Sequence, residues 1–225
     1  MKTISLGDTH GNPAWKTIDP AQYDHIIFIG DYSDSESLTD EDELINFQEI
    51  VDFKKAYPEK VRLILGNHDL NYIYFPDYKC SRFRPLLQPA LTKIFQEDSN
   101  FFEAAFQIKN FLWTHAGVSK SWLTSQERQP TNFSTLANFL NELNADPITR
   151  KALHSVGPLR GGKAKHGGIT WADQMETEND FLDGVHQIVG HSRVKDITTM
   201  RNETGSITYI DCLEEKTEFY EVVIL

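Results

Sequence analysis

The chain has 225 residues, 40% of them hydrophobic, and a formal net charge of −11 at pH 7. That length buries a proper core in one or two domains, and that charge disfavours a protein that grips nucleic acid through its phosphates, which needs a basic surface. No apolar run approaches the roughly 20 residues needed to cross a bilayer, and the start MKTISLGDTHG has no apolar stretch behind its lysine, so a cytoplasmic protein without a membrane partner is expected.

Lys2 to Leu6 reads as a short strand, and His25 to Ile29 is a near-continuous apolar run of the kind found in a strand buried on both faces. Val61 to Leu65 reads as the third strand. Between the second and third, Thr39 with Asp42 three residues later predicts a helix start, Leu44, Phe47 and Val51 recur at helical spacing, and Pro58 closes the element. The first seventy or so residues are therefore βαβαβ-like. Leu70 to Phe102, rich in aromatics but without periodicity, is predicted to be a cap insertion at about 70–102. Its aromatics are expected to form a satellite core under a long loop.

Phe101 to Thr114 reads as two strands joined at Lys109-Asn110. Phe133, Leu136, Leu140 and Leu143 make a helical stripe, Asp146-Pro147 starts a further short helix, and Val185 to Val189 is another strand. Ile197 to Met200, Ser206 to Asp211 and Thr217 to Ile224 alternate enough to predict strands of an antiparallel sheet. The chain as a whole, 1–225, is expected to be a single α/β domain of two sheets covered by helices. Acidic clusters at Asp34 to Glu43, Glu176 to Asp183 and Glu214 to Glu221 are expected on solvated faces. Cys80 and Cys212 are too few for a disulfide framework and read as free thiols.

Five short motifs punctuate this pattern: Gly7-Asp8-Thr9-His10-Gly11, Gly30-Asp31-Tyr32-Ser33-Asp34, Gly66-Asn67-His68-Asp69, Thr114-His115-Ala116-Gly117 and Gly190-His191-Ser192. The first three directly follow strands, where α/β sheets keep their chemistry. Any one of them is weak evidence, whereas five in series point to a two-metal site that cleaves phosphoesters. Such a site uses two cations about 3.5–4 Å apart to supply a strong nucleophile and to neutralise phosphoryl charge. Asp31 is the natural bridge between them. Asp8 and His10, at i and i+2 of extended backbone, can face one ion, and Asn67, His115 and His191 can hold the other. Mixed carboxylate and imidazole ligation suits Mn, Fe or Zn, and the lack of cysteine ligands argues against a structural zinc.

The chain resembles the calcineurin-like metallophosphoesterases, and within them the branch of serine/threonine protein phosphatases and diadenosine tetraphosphate hydrolases. That branch carries GDxHG, GDxxDRG, GNHE, HAG or HGG, and GH, against GDTHG, GDYSD, GNHD, HAG and GHS here. A wider group ends in GHxH, and this chain has Arg193 at that place. The resemblance implies a four-layer αββα sandwich of two mixed sheets. It implies that Asp8, His10 and Asp31 hold one divalent metal while Asp31, Asn67, His115 and His191 hold the other. It further implies that His68 protonates the leaving oxygen with Asp34 orienting it.

One departure matters: the motif's phosphate-gripping arginine is replaced by Ser35, and its glycine by Glu36. Arg160, in a glycine-rich loop, and Arg193, beside His191, are candidate substitutes, with Arg82 and Arg84 as further ones. The expected activity is hydrolysis of phosphomonoesters, on a phosphorylated protein or small molecule, by a metal-bridging hydroxide, with manganese a suitable metal. Two alternatives stand beside it. The missing arginine favours a nucleotide pyrophosphatase or phosphodiesterase, such as a dinucleoside polyphosphate hydrolase, and a distant alternative is a metal-binding scaffold without catalysis. His25, His154, His166 and His186 fall outside the motifs and are expected to be surface or ordinary packing residues.

Overall fold

The computed structural model describes residues 1–225, which form two compact units: 1–103 with 212–225, and 104–211. In the first unit, strands β1 (Lys2–Leu6), β2 (His25–Phe28), β3 (Val61–Ile64) and β4 (Phe102–Glu103) run parallel, and β10 (Tyr220–Val223) lies antiparallel beside β1. In the second, β6 (Phe111–Trp113), β7 (His186–Val189) and β9 (Ser206–Tyr209) are parallel, with β5 (Phe106–Ile108) and β8 (Thr198–Arg201) antiparallel at the edges. Both sheets are thus mixed, and both are flanked by helices.

Helix α1 (Asp40–Ala56) shows why its sequence folds as it does. Thr39 caps it by accepting the Asp42 N–H, four carboxylates fill its first turn, and Lys54 and Lys55 occupy its last, each matching the helix dipole. Phe47, Ile50 and Val51 are fully buried in a core with Ile26, Phe28 and Leu63 from the strands and Leu65 just past β3. Burying each such side chain contributes about 1.5–3 kcal/mol before chain entropy is charged against it. In the second unit, α5 (Leu136–Ala145) buries Leu136, Leu140 and Leu143 against Leu112, Val118 and Val185. α6 (Pro147–Leu153) starts with proline behind an Asp146 cap.

The carboxyl-terminal strands depart from expectation. Thr198–Arg201 and Ser206–Tyr209 do pair antiparallel, but the second of them also pairs parallel with β7, and Tyr220–Val223 joins the other unit's sheet. Alternation reports which faces are buried and carries no information about which neighbour a strand selects. The stretch after the third strand is also more regular than its composition suggests. It holds α2 (Asn67–Ile73) and α3 (Gln88–Glu97), with Leu70, Tyr72, Leu91 and Phe95 buried in the unit's main core and Tyr74, Tyr78 and Phe83 packed against it.

The cluster 34–43 is not wholly a solvated face: Asp34 and Glu43 are completely buried. Each is hydrogen-bonded, which is the condition for burying a carboxylate at tolerable cost. No helix is long and apolar enough to cross a membrane.

Candidate metal and catalytic site

Three parallel strands of the first unit end in the first three motifs. Asp8 and His10 follow β1, Asp31 and Asp34 follow β2, and Asn67 and His68 open α2 just past β3; all six are buried. The chain reaches this density of polar groups through close backbone approach. Gly30 has φ +104°, and a Cβ on Gly66 would sit 2.1 Å from Asp31 Oδ1 and 2.5 Å from the Asp31 amide nitrogen. Only glycine at 66 lets the third motif lie against the second.

Strain is concentrated in the same place. Six non-glycine residues have positive φ, and four of them, His10, Asp31, Asp34 and His191, are motif residues with φ of 39°, 52°, 68° and 61°. A left-handed conformation costs on the order of 1 kcal/mol or more for such residues and persists where surrounding contacts over-determine it. Two buried carboxylates do so here. Asp69 accepts the amides of Asp31, Tyr32 and Gly66 at 2.9, 3.0 and 2.7 Å. Glu43 accepts those of Asp34 and Ser35, both at 2.8 Å. Sequence reasoning assigned neither residue a role, although Asp69 stands inside a motif.

His10 has a defined tautomer. Its Nδ1 lies 2.6 Å from the Ser33 carbonyl, which can only accept, and its Nε2 lies 3.0 Å from Arg82 Nη2, which can only donate. The proton is therefore on Nδ1 and the lone pair on Nε2, with Asp31 Oδ2 3.8 Å away. Burial lowers the His10 pKa to about 4 despite the opposing Asp31 carboxylate, so the ring is neutral at pH 7. A neutral, buried imidazole with its second nitrogen fixed by a carbonyl, next to a carboxylate, suits a divalent cation. His10, Asp31 and His68 each offer a donor atom within 4.8 Å of the others.

His68 is arranged for different work. Its backbone N–H donates to Asp31 Oδ1 at 2.9 Å, and its Nδ1 lies 2.6 Å from Asp34 Oδ2, with Cys80 Sγ at 3.3 Å. The Tyr72 hydroxyl donates to the other oxygen of Asp34 and itself accepts the Arg84 N–H at 3.1 Å. Burial works against a charge on His68. The Asp31 carboxylate and the hydrogen bonds to Asp34 and Cys80 outweigh it and push the imidazole up to about 11. Nδ1 is committed to Asp34, which leaves Nε2 to carry a transferable proton.

In the second unit, His115 follows β6 and His191 follows β7, two adjacent parallel strands, so both imidazoles emerge at one end of the sheet with ring centroids 5.1 Å apart. The Gly190 amide donates to the His115 carbonyl at 2.7 Å and ties the two motifs together. Trp171 meets His191 edge-on at 5.6 Å. Arg160 pairs with Asp173 at 2.7 Å and donates to Ser192 Oγ at 2.9 Å, which fixes its guanidinium beside the His191 motif. Arg193 is exposed two residues after His191.

The histidines outside the motifs are packing residues where the geometry is defined. His154 is buried between Thr170 Oγ1 at 3.0 Å and Asn144 Oδ1 at 2.9 Å, and His186 meets Ser206 Oγ at 2.9 Å.

A family model described as calcineurin-like phosphoesterase matches residues 1–194. No curated protein matches the chain. Among solved structures, a cold-active protein-tyrosine phosphatase of the psychrophile Shewanella sp. is similar with a TM-score of 0.62 and 17% identity, covering 98% of this chain and 74% of that one. A protein serine/threonine phosphatase from Saccharomyces cerevisiae is similar with a TM-score of 0.53 and 16% identity, covering 93% of this chain and 67% of that one. At such identities the likeness is one of fold. The family match over most of the chain carries the conclusion: this protein belongs to the calcineurin-like phosphoesterases and is a metal-dependent phosphoesterase.

Proposed function

We propose that the protein hydrolyses phosphomonoesters, on a phosphorylated protein or a small phosphorylated molecule, with two divalent cations, His68 as general acid and Asp34 as its orienter. The observation that carries this reading is the buried His68–Asp34 contact of 2.6 Å, beside the Asp31 carboxylate. An imidazole held protonated at neutral pH can give its Nε2 proton to a leaving oxygen, a step worth roughly 10²–10⁴ in rate. The proposed cation donors are Asp8, His10, Asp31 and Asn67 from the first unit and His115 and His191 from the second, with Asp31 as the bridge. Bound cations supply a nucleophile at neutral pH and neutralise phosphoryl charge. With cations bound, the Asp31 carboxylate would be offset and His68 would be less basic, with its hydrogen bond to Asp34 left to hold the proton.

Arg160 and Arg193 are proposed to meet substrate from the side of His191. The two structural relatives, a tyrosine and a serine/threonine phosphatase by name, support a phosphoprotein substrate. Ser35 in place of an arginine favours the second reading, a phosphodiesterase or nucleotide pyrophosphatase, because a diester carries less charge to be gripped. A screen with Mn²⁺ of nitrophenyl phosphate, bis-nitrophenyl phosphate, phosphopeptides and dinucleoside polyphosphates separates them. Preference for the monoesters supports the proposal, and turnover confined to diesters or polyphosphates replaces it with the second reading.

A further inference from the structure

Ser35 and Glu36 stand where the family motif has arginine and glycine, and their surroundings account for both changes together. Ser35 is buried, and its hydroxyl serves local structure by accepting the Ser37 and Leu38 amides at 3.3 and 3.2 Å. Its short side chain borders a cavity of about 360 Å³ lined by His10, Asn12, Glu36, Leu38 and Glu214. A guanidinium from a different segment reaches this region. Arg82 places Nη2 3.0 Å from His10 Nε2, while its Nη1 is held by Glu36 at 3.0 Å and by Glu214 at 3.6 Å.

Arg82 is only about a quarter exposed and sits at φ +60°, a strained conformation that aims its side chain inward and is held by these contacts. Arg84, two residues on, points to the same segment but is used up there, bonding the carbonyls of Ser35 and Leu38 and pairing with Asp40 and Glu43. The two arginines therefore divide the work: Arg84 builds the loop, and Arg82 faces the site.

We propose that Arg82 is a phosphate-binding, monoester-selecting arginine of this protein, anchored by Glu36 and taking the role of the motif arginine that Ser35 replaces. The proposal rests on the phosphoesterase reading above and adds the residue that sets its substrate class. The contact with His10 Nε2 defines where the guanidinium lies. A cation taking that lone pair would displace Nη2 from it, and the guanidinium, still tethered through Nη1, would be left at the edge of the site with hydrogens that a phosphoryl oxygen of the substrate can satisfy. Glu36 and Glu214 would keep the displaced cationic side chain beside the site against the repulsion of a bound metal. A dianionic monoester gains more from this guanidinium than a monoanionic diester.

The test uses Mn²⁺-loaded protein and three variants, Arg82→Ala, Arg82→Lys and Glu36→Gln. Orthophosphate affinity is measured by calorimetry, metal content by elemental analysis, and KM on nitrophenyl phosphate and bis-nitrophenyl phosphate. Expected is a loss of orthophosphate affinity of about ten- to a hundredfold in Arg82→Ala. A matching rise in monoester KM, a smaller change for the diester and unaltered metal content are expected with it. Lysine, which keeps the charge without the planar fork, should recover part of the loss, and Glu36→Gln should show a weaker version of it in a fold left intact. Orthophosphate affinity within twofold of the parent in Arg82→Ala and Glu36→Gln, or a loss that only follows lost metal, overturns the assignment. Failure of the parent protein to hydrolyse any phosphoester would instead overturn the underlying reading.

Discussion

His68 and Asp34 lie 34 residues apart in sequence and meet through a 2.6 Å contact with no solvent exposure at the carboxylate. The pair is braced on its far side by the Tyr72 hydroxyl, which donates to the second oxygen of Asp34. If the brace orients the acid, Tyr72→Phe should lower turnover several-fold at unchanged metal content. Asp34→Asn, which removes one of the groups that hold the His68 proton, should lower turnover by roughly 10- to 10³-fold. Steady-state kinetics with metal analysis checks both, and a larger loss in Tyr72→Phe than in Asp34→Asn would contradict the ordering.

Asp31 is the proposed bridge, and its other contacts make a specific variant informative. Asp31→Asn keeps the side-chain oxygen that accepts the His68 amide but removes the charge shared between cations. It should abolish activity and reduce bound metal from about two ions per chain. Elemental analysis showing undiminished metal would remove Asp31 from the bridge.

Asp69 is predicted to be a stability residue first. Replacing it by alanine leaves the amides of Asp31, Tyr32 and Gly66 without their acceptor in a buried site. A loss of about 3–5 kcal/mol in urea unfolding of the metal-free protein follows. Asp69→Asn, retaining one carbonyl oxygen, should lose less. Equal stability of the alanine variant and the parent would show that the clamp is dispensable.

His154 gives the second unit a pH dependence. Burial lowers its pKa to about 3, with smaller contributions from Arg150 and His115, against an ordinary value of 6.5. The unfolded chain therefore binds this proton between about pH 6.5 and 3 while the folded one does not. The stabilisation is fully present above the unfolded value and is lost as pH falls towards the folded one, at up to about 1.4 kcal/mol per pH unit. His154→Gln, which can still donate to Asn144 and accept from Thr170, should be less sensitive than the parent between pH 7 and pH 5. Identical slopes in the two proteins would place the proton elsewhere.

Much of the fold was legible because its signals are local. The strands ending before Asp8, Asp31 and Asn67 are short runs rich in β-branched and apolar residues, α1 has its cap and charge pattern written at both ends, and the hairpin at Lys109 turns where its residues suggest. The motifs likewise announced donors that the chain gathers within each unit, such as His10 with Asp31 and His115 with His191. The hidden features depend on pairs far apart in sequence. Glu43 reads as one more acid in a charged helix start, yet it points inward to cap the Asp34 loop. Tyr72 and Arg82 lie in a segment without periodicity, and only the folded chain reveals that one braces Asp34 and the other reaches His10. The assignment of Tyr220–Val223 to the first unit's sheet is a choice of neighbour, which alternation does not encode.

Proton transfer from His68 to the leaving group is tested most directly by the leaving-group dependence of His68→Asn with Mn²⁺ bound. Turnover of the parent and the variant is compared on an alkyl phosphate, whose alkoxide needs protonation, and on nitrophenyl phosphate, whose phenolate hardly does. Expected are unchanged metal content, a loss of roughly 10²–10⁴ on the alkyl phosphate and a much smaller loss on nitrophenyl phosphate. An equal loss on both substrates would contradict it.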